Sequence, residues 1–102
     1  SNTFRPNHRS VPASLELDDA IEYYSLQASD LGEKFLKEVL ETIELISLFP
    51  RIWSKNSKNT RKAVLRKFPF NLIYTILNDK IYIIAVAHQH REPEYWIERV
   101  LK

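Results

Sequence analysis

The stretch NLIYTILNDKIYIIAVAH, residues 71–88, decides the fold of this chain, because its pattern predicts a β-hairpin. Two runs rich in β-branched and aromatic residues lie on either side of Asn78-Asp79, and such residues favour strands. Asparagine and aspartate tolerate the positive φ that a two-residue hairpin turn requires. The turn sets a register that pairs Ile76 with Ile81, Thr75 with Tyr82 and Tyr74 with Ile83.

Alternation along this hairpin predicts two different sheet faces, because successive side chains of a strand point to opposite sides. One face is predicted to meet the helices and carries Leu72, Tyr74, Ile76, Ile81, Ile83, Ala85 and Ala87. The other is mixed, as expected of a partly open face, and carries Ile73, Thr75, Lys80, Tyr82, Ile84, Val86 and His88. His88 is therefore expected on the face opposite Leu72 and Tyr74.

Two amphipathic segments precede the hairpin. Apolar residues recur at helical spacing from Ala13 to Tyr24, which predicts a helix over about residues 11–28 with Glu16 on its polar side. Asp30 and Glu33 fit a capping box for a second helix, and a proline at position 50 ends it near residue 48. The short connection predicts an antiparallel helix pair.

The remaining segments complete an α+β fold. Residues 3–9 fit an edge strand, residues 50–60 a loop, and residues 61–69 lead into the sheet through a basic strand. Pro93 is placed to start a short C-terminal helix through Leu101. The prediction is a two-helix antiparallel hairpin on one face of a small three- to four-stranded antiparallel sheet. At 102 residues the chain fits a single domain over residues 1–102, with Ser1-Asn2 as a remnant of cloning.

Composition excludes several kinds of chemistry. The chain has no cysteine, so disulfides, thiolate metal sites and thiol catalysis are excluded. Gly32 is its only glycine, which excludes a glycine-rich phosphate loop. No apolar run reaches the length of a membrane span and no signal-peptide pattern opens the chain, so no membrane partner and a cytoplasmic location are expected.

Charge is unevenly distributed although the formal net charge is only +2. Residues 15–44 hold nine acidic residues and two lysines, whereas residues 51–67 hold seven basic residues and no acidic one. Such a segment attracts polyanions, and the residues predicted to bind nucleic acid or another target are Arg61, Lys62, Arg66 and Lys67. The alternative is that these are simply solvated side chains on a loop and an edge strand.

The tail after the hairpin carries residues suited to RNA cleavage without a metal. That reaction needs a base for the 2′-OH, cations for the developing charge and an acid for the leaving oxygen. The candidate catalytic residues are His88, His90, Arg91 and Tyr95, with a histidine as acid or base, Arg66 and Arg91 as phosphate clamps, and Tyr95 as a secondary proton donor or stacking platform.

Each of these residues also has a structural interpretation. His88 could hydrogen-bond a backbone carbonyl, Tyr95 could pack the tail on the body, and Arg91 could pair with a neighbouring glutamate. His88 and His90 have the spacing of two metal ligands, but the sequence offers no third ligand of comparable quality nearby, so no metal site is expected.

Four strings resemble those of the RelE/ParE toxin superfamily, which includes plasmid stabilisation toxins, in the same order. They are AIEYY (20–24), GEKFLKEVLETIELISLFP (32–50), RKFPFNLIY (66–74) and AVAHQHREPEYW (85–96). The resemblance implies a helical hairpin packed on a small antiparallel sheet and a toxin of a type II toxin–antitoxin system. It also implies a hetero-oligomer with an antitoxin encoded beside it, and no metal or cofactor. The loop at 51–60 lacks the glycines common in the family.

Free toxins of this superfamily arrest growth either by poisoning DNA gyrase or by cleaving mRNA on the ribosome. Only two lysines lie on the helices, and docking on ribosomal RNA should need more positive charge. We therefore favour a ParE-like toxin that acts on DNA gyrase. The alternatives are a RelE-like ribosome-dependent endoribonuclease and an inactive member that only binds its antitoxin.

Overall fold

The computed structural model describes residues 12–57, 59–91 and 95–99. Its elements are α1 (Ala13–Gln27), α2 (Leu31–Leu48), β1 (Lys55–Ser57), β2 (Thr60–Val64), β3 (Phe70–Leu77), β4 (Lys80–His88) and a 3-10 turn at Ile97–Arg99. The strands form one antiparallel sheet in the order β1-β2-β3-β4, with the two helices packed on it. The α+β prediction is confirmed. The strand predicted at residues 3–9 lies outside the described residues.

Both ends of α2 agree with the sequence, but the predicted capping box at its start is wrong. Asp30 stands at the N-cap position without a side-chain hydrogen bond to the helix backbone. Its carboxylate instead pairs with the ammonium of Lys34 at 3.1 Å, on an exposed surface.

The segment predicted as a loop at residues 50–60 contains an edge strand. β1 pairs with β2 through Lys55 opposite Arg61 and Ser57 opposite Thr60, and the hydroxyls of Ser57 and Thr60 lie 2.7 Å apart. Three polar residues give no periodic signal, so the pairing arises from the neighbouring strand rather than from their own propensity.

The predicted hairpin register is confirmed near the turn and shifts by one residue beyond it. Asn78 and Asp79 both have positive φ, and Ile76 pairs with Ile81 as predicted. Tyr74 pairs with Ile83 but Ile73 pairs with Ala85, so β4 contains one extra residue, a β-bulge at Ile84.

The bulge exchanges the two faces of β4 beyond residue 84, because one extra residue reverses the alternation. Val86 packs in the core beneath the helices, whereas Ala85 and Ala87 pack on the opposite face. His88 pairs with Phe70, and their rings lie 5.1 Å apart. The predicted placement of Ala85, Ala87, Val86 and His88 is therefore wrong.

The main core lies between the helices and the sheet. Tyr24, Phe35, Phe68 and Phe70 form an aromatic cluster with ring centroids 4.9–6.2 Å apart. Such pairs add stability beyond the burial of apolar area. This cluster fixes α1 and α2 over β3.

A smaller cluster covers the opposite face of the sheet. Trp96, which is almost fully buried, packs there with Ile73, Ala85 and Ala87. The tail therefore docks on the sheet, but the short C-terminal helix predicted from Pro93 to Leu101 is not confirmed. The described part of the tail contains a single 3-10 turn, and Pro93 and Leu101 lie outside it. Within the described ranges, no helix is long and apolar enough to cross a membrane.

Candidate functional site

Several predicted site residues surround one cavity at the carboxyl end of β4. This cavity of about 300 Å³ is lined by Lys62 from β2, His88 from β4, and Arg91 and Tyr95 from the tail. Lys62 reaches it because it pairs with Ile73 in the sheet and so shares the outer face with that residue. The structure thus brings one lysine, one imidazole, one guanidinium and one phenol together.

The two histidines contact each other at the rim of this cavity. Their rings lie 5.1 Å apart, and the backbone N–H of His90 donates to Nδ1 of His88 at 3.0 Å. Nδ1 of His88 thus accepts a hydrogen bond from a backbone amide. This ring nitrogen does not make the predicted hydrogen bond to a backbone carbonyl. A neutral His88 then carries its proton on Nε2.

Tyr95 is held in place by its neighbours. The guanidinium of Arg91 lies 3.8 Å from the centroid of its ring, a cation–π distance. Its hydroxyl donates to Oε2 of Glu16 at 2.6 Å. Burial, followed by this hydrogen bond, raises the pKa of Tyr95 well above its ordinary value. The phenol therefore keeps its proton at neutral pH and is a poor acid or base.

The prediction that Glu16 lies on the polar side of α1 is also wrong. Its carboxylate accepts hydrogen bonds from the backbone N–H of Val86 at 2.9 Å, from Tyr95, and from both terminal nitrogens of Arg99 at 3.0 and 3.1 Å. The side chains of Glu16 and Arg99 are only 11% and 12% exposed. This group, the Glu16 network, ties α1, β4 and the tail together.

A sequence signal for this burial did exist. Glu16 lies three residues after Ala13 and four before Ala20, both of which face the core, so it stands on the apolar stripe of α1 and not opposite it. A carboxylate there must find a partner, because a buried charge is retained only when it is paired. The partner, Arg99, lies 83 residues away, and no local pattern indicates it.

The predicted basic residues separate into two groups. Arg61 does not join the cavity at the end of β4, because its guanidinium donates to the carbonyl of Trp53 at 2.6 Å, in the segment that leads into β1. Arg66 and Lys67 lie in the β2–β3 connection with exposed side chains, and their backbone N–H groups donate to the carboxylate of Glu38.

That connection borders the histidines. The backbone N–H of Gln89 donates to the carbonyl of Pro69 at 2.8 Å, so the turn after β4 lies against the β2–β3 connection. One end of the sheet is therefore rich in basic side chains, and we call it the cationic end. It carries Lys62, Arg66, Lys67, His88, His90 and Arg91. Among the residues placed by the structure, no group of three histidine, cysteine or acidic side chains could hold a metal ion.

A small α+β domain with a cationic end fits the toxin class indicated by the resemblance. Residues 9–93 match the family model described as "ParE toxin of type II toxin-antitoxin system, parDE". The match spans most of the chain, and the chain belongs to this family, whose members pair with an antitoxin protein. A search of curated proteins found no match to it.

Proposed function

We propose that this toxin inhibits DNA gyrase by binding, and that it acts in the cytoplasm, where gyrase and its DNA are found. The observation that carries the proposal is the state of the candidate catalytic groups. The Tyr95 hydroxyl is bound to Glu16, and Nδ1 of His88 is bound to a backbone amide. The phenol of Tyr95 is therefore not free to move a proton, and the imidazole of His88 retains only Nε2 for proton transfer. The match to the ParE model, over residues 9–93, supports the same branch of the superfamily.

The cationic end supplies the binding surface in this proposal. Lysine and arginine side chains attract a protein–DNA complex through its phosphates, and the free energy comes from contact and counterion release rather than from a chemical step. The exposed side chains of Arg66 and Lys67 and the cavity that contains Lys62 suit such a surface.

RNA cleavage without a metal is the second candidate, and one observation favours it. Lys62, His88 and Arg91 surround the same cavity, so cations and an imidazole lie together as phosphodiester cleavage requires. In that reaction the imidazole would accept the proton of the 2′-OH or donate a proton to the leaving oxygen, and Arg91 would stabilise the phosphorane-like charge.

Two assays on the purified toxin distinguish these functions. We expect inhibition of gyrase supercoiling and no cleavage of ribosome-bound mRNA. His88→Ala should leave gyrase inhibition within about threefold, whereas Lys62→Ala combined with Arg66→Ala should weaken it at least tenfold, since each phosphate contact contributes to affinity. Ribosome-dependent cleavage that His88→Ala and Arg91→Ala abolish, with unchanged thermal unfolding, would instead identify a nuclease.

Growth provides the control for activity as a toxin. Expression without the antitoxin should arrest growth. Normal growth with soluble, folded protein and no effect in either assay would identify a member that only binds its antitoxin.

A further inference from the structure

A second cavity lies at the opposite end of the sheet from the histidines. It measures about 650 Å³ and is bounded by β1, β2 and the turn end of the β3–β4 hairpin. Its charged lining residues are all cationic: Arg51, Lys55, Arg61 and Arg99. Among the residues that the structure places, no carboxylate lines it. Neither the family match nor the proposed function assigns a role to it.

Three of its four cations have no anionic partner among the described residues. Arg99 is neutralised by Glu16. Arg61 is half-buried, and its described hydrogen bond goes to a neutral carbonyl, that of Trp53. Arg51 and Lys55 are exposed, and none of the ion pairs found within the described ranges includes them. A partly desolvated guanidinium that lines one cavity with two further cations favours a bound anion, because an anion relieves the repulsion between the like charges.

Part of the wall of the same cavity is apolar. Tyr82 is 46% exposed there and stands next to Ile84 on β4. A half-exposed aromatic ring beside an aliphatic side chain is a surface on which a planar base can stack.

We propose that this cavity binds a nucleoside polyphosphate, with its phosphates on Arg51, Lys55 and Arg61 and its base against Tyr82. The volume lies in the range of small-molecule sites. The cations surround a single cavity, which matches the clustered charge of a polyphosphate better than the evenly spaced phosphates of a nucleic-acid strand. The proposal does not depend on the target of the toxin.

Calorimetric titration of the full chain tests the site, with ATP, GTP, inorganic triphosphate and a single-stranded oligonucleotide as probes. We expect one saturable site for a nucleoside triphosphate. Inorganic triphosphate should bind about tenfold more weakly, because it lacks the stacked base. Arg51→Ala combined with Lys55→Ala should weaken binding of both probes at least tenfold. Tyr82→Leu should weaken ATP alone.

The matched control removes two cations from the cationic end, as Lys62→Ala with Lys67→Ala. It should change the affinity for ATP by less than about threefold. All substituted side chains are exposed, and thermal unfolding of each variant verifies that it is folded.

Four results would overturn the proposal. Two concern the nucleotides: no saturable binding of either one at millimolar concentration, or equal affinity for ATP and inorganic triphosphate. The other two are binding of the oligonucleotide alone, and a loss of affinity in the control variant as large as that in the Arg51/Lys55 variant.

Discussion

Removing the negative charge of Glu16 should destabilise the protein more than removing that of an exposed carboxylate, because the Glu16–Arg99 ion pair is largely buried. In Glu16→Gln the buried guanidinium of Arg99 loses its counter-charge, and the N–H₂ that replaces one oxygen faces two donors, one from Arg99 and one from either Val86 or Tyr95. Removing one partner of a buried ion pair costs about 3–5 kcal/mol of unfolding free energy. Because the amide oxygen of glutamine can still accept hydrogen bonds, we expect a loss near the lower figure. For a domain of this size, about 3 kcal/mol lowers Tm by roughly 12–24 °C.

Thermal and urea unfolding followed by circular dichroism measure this effect. Asp18→Asn is the matched control, because it removes a carboxylate from the exposed face of the same helix and should shift Tm by no more than a few degrees. Combining Glu16→Gln with Arg99→Met should recover part of the loss, with a coupling energy of at least about 1.5 kcal/mol, since the second change removes the unpaired cation. Equal stability of Glu16→Gln and the wild type would refute the reasoning.

Three further predictions follow from local geometry. The pKa of Tyr95 is raised, so the stability that this phenol provides is present below pH 10, the ordinary tyrosine value, and is lost as the pH rises from there towards the pKa of the folded state. The free energy of unfolding, measured from pH 8 to 11, should therefore fall more steeply in the wild type than in Tyr95→Phe. Gly32→Ala should destabilise by about 1–3 kcal/mol despite the higher helix propensity of alanine, because the added Cβ would lie 2.8 Å from the carbonyl oxygen of Ile21; a stabilised variant in chemical denaturation would contradict this. Asp79→Gly should stabilise the hairpin by roughly 0.5–1 kcal/mol, since Asp79 has φ 65° in the turn, and a lower urea midpoint would argue against it.

The sequence was sufficient for the elements whose signals are local. The positive φ at Asn78 and Asp79 and the pairing of Ile76 with Ile81 follow from a turn dipeptide between two β-branched runs. α2 ends at Leu48 because its apolar stripe is followed by a proline at position 50. Each of these depends on neighbours within a few residues.

The bulge at Ile84 could not be predicted in the same way. The run IYIIAVA is apolar at nearly every position, so either alternation buries a hydrophobic set and the pattern does not specify one register. What selects the bulge is packing on both faces: Val86 fills the core beneath the helices, while small Ala85 and Ala87 leave space for Trp96 on the other side. That choice depends on the tail, which is distant from the core helices in sequence.

The sequence indicated only part of the arrangement around the candidate site. Lys62, His88, Arg91 and Tyr95 do meet at one cavity, as strand order alone suggests. Arg61 is separated from them because its guanidinium donates to the carbonyl of Trp53, in the segment that leads into β1. The role of Tyr95 depends on Glu16, 79 residues away. A contact between residues so far apart produces no periodic pattern in the sequence.

The Glu16 network also explains why the tail lies where it does. β4 is at the edge of the sheet, and an unpaired edge exposes backbone N–H and C=O groups that favour association with other strands. Here the N–H of Val86 donates to Glu16, and the carbonyl of Ile84 accepts from Arg99. The ion pair therefore takes the place of a neighbouring strand at the bulge, where a regular ladder could not continue. Because Tyr95 belongs to the same network and Arg91 stacks on its ring, protecting this edge also fixes Arg91 beside His88. The same contacts that stabilise the fold thus position the cationic end.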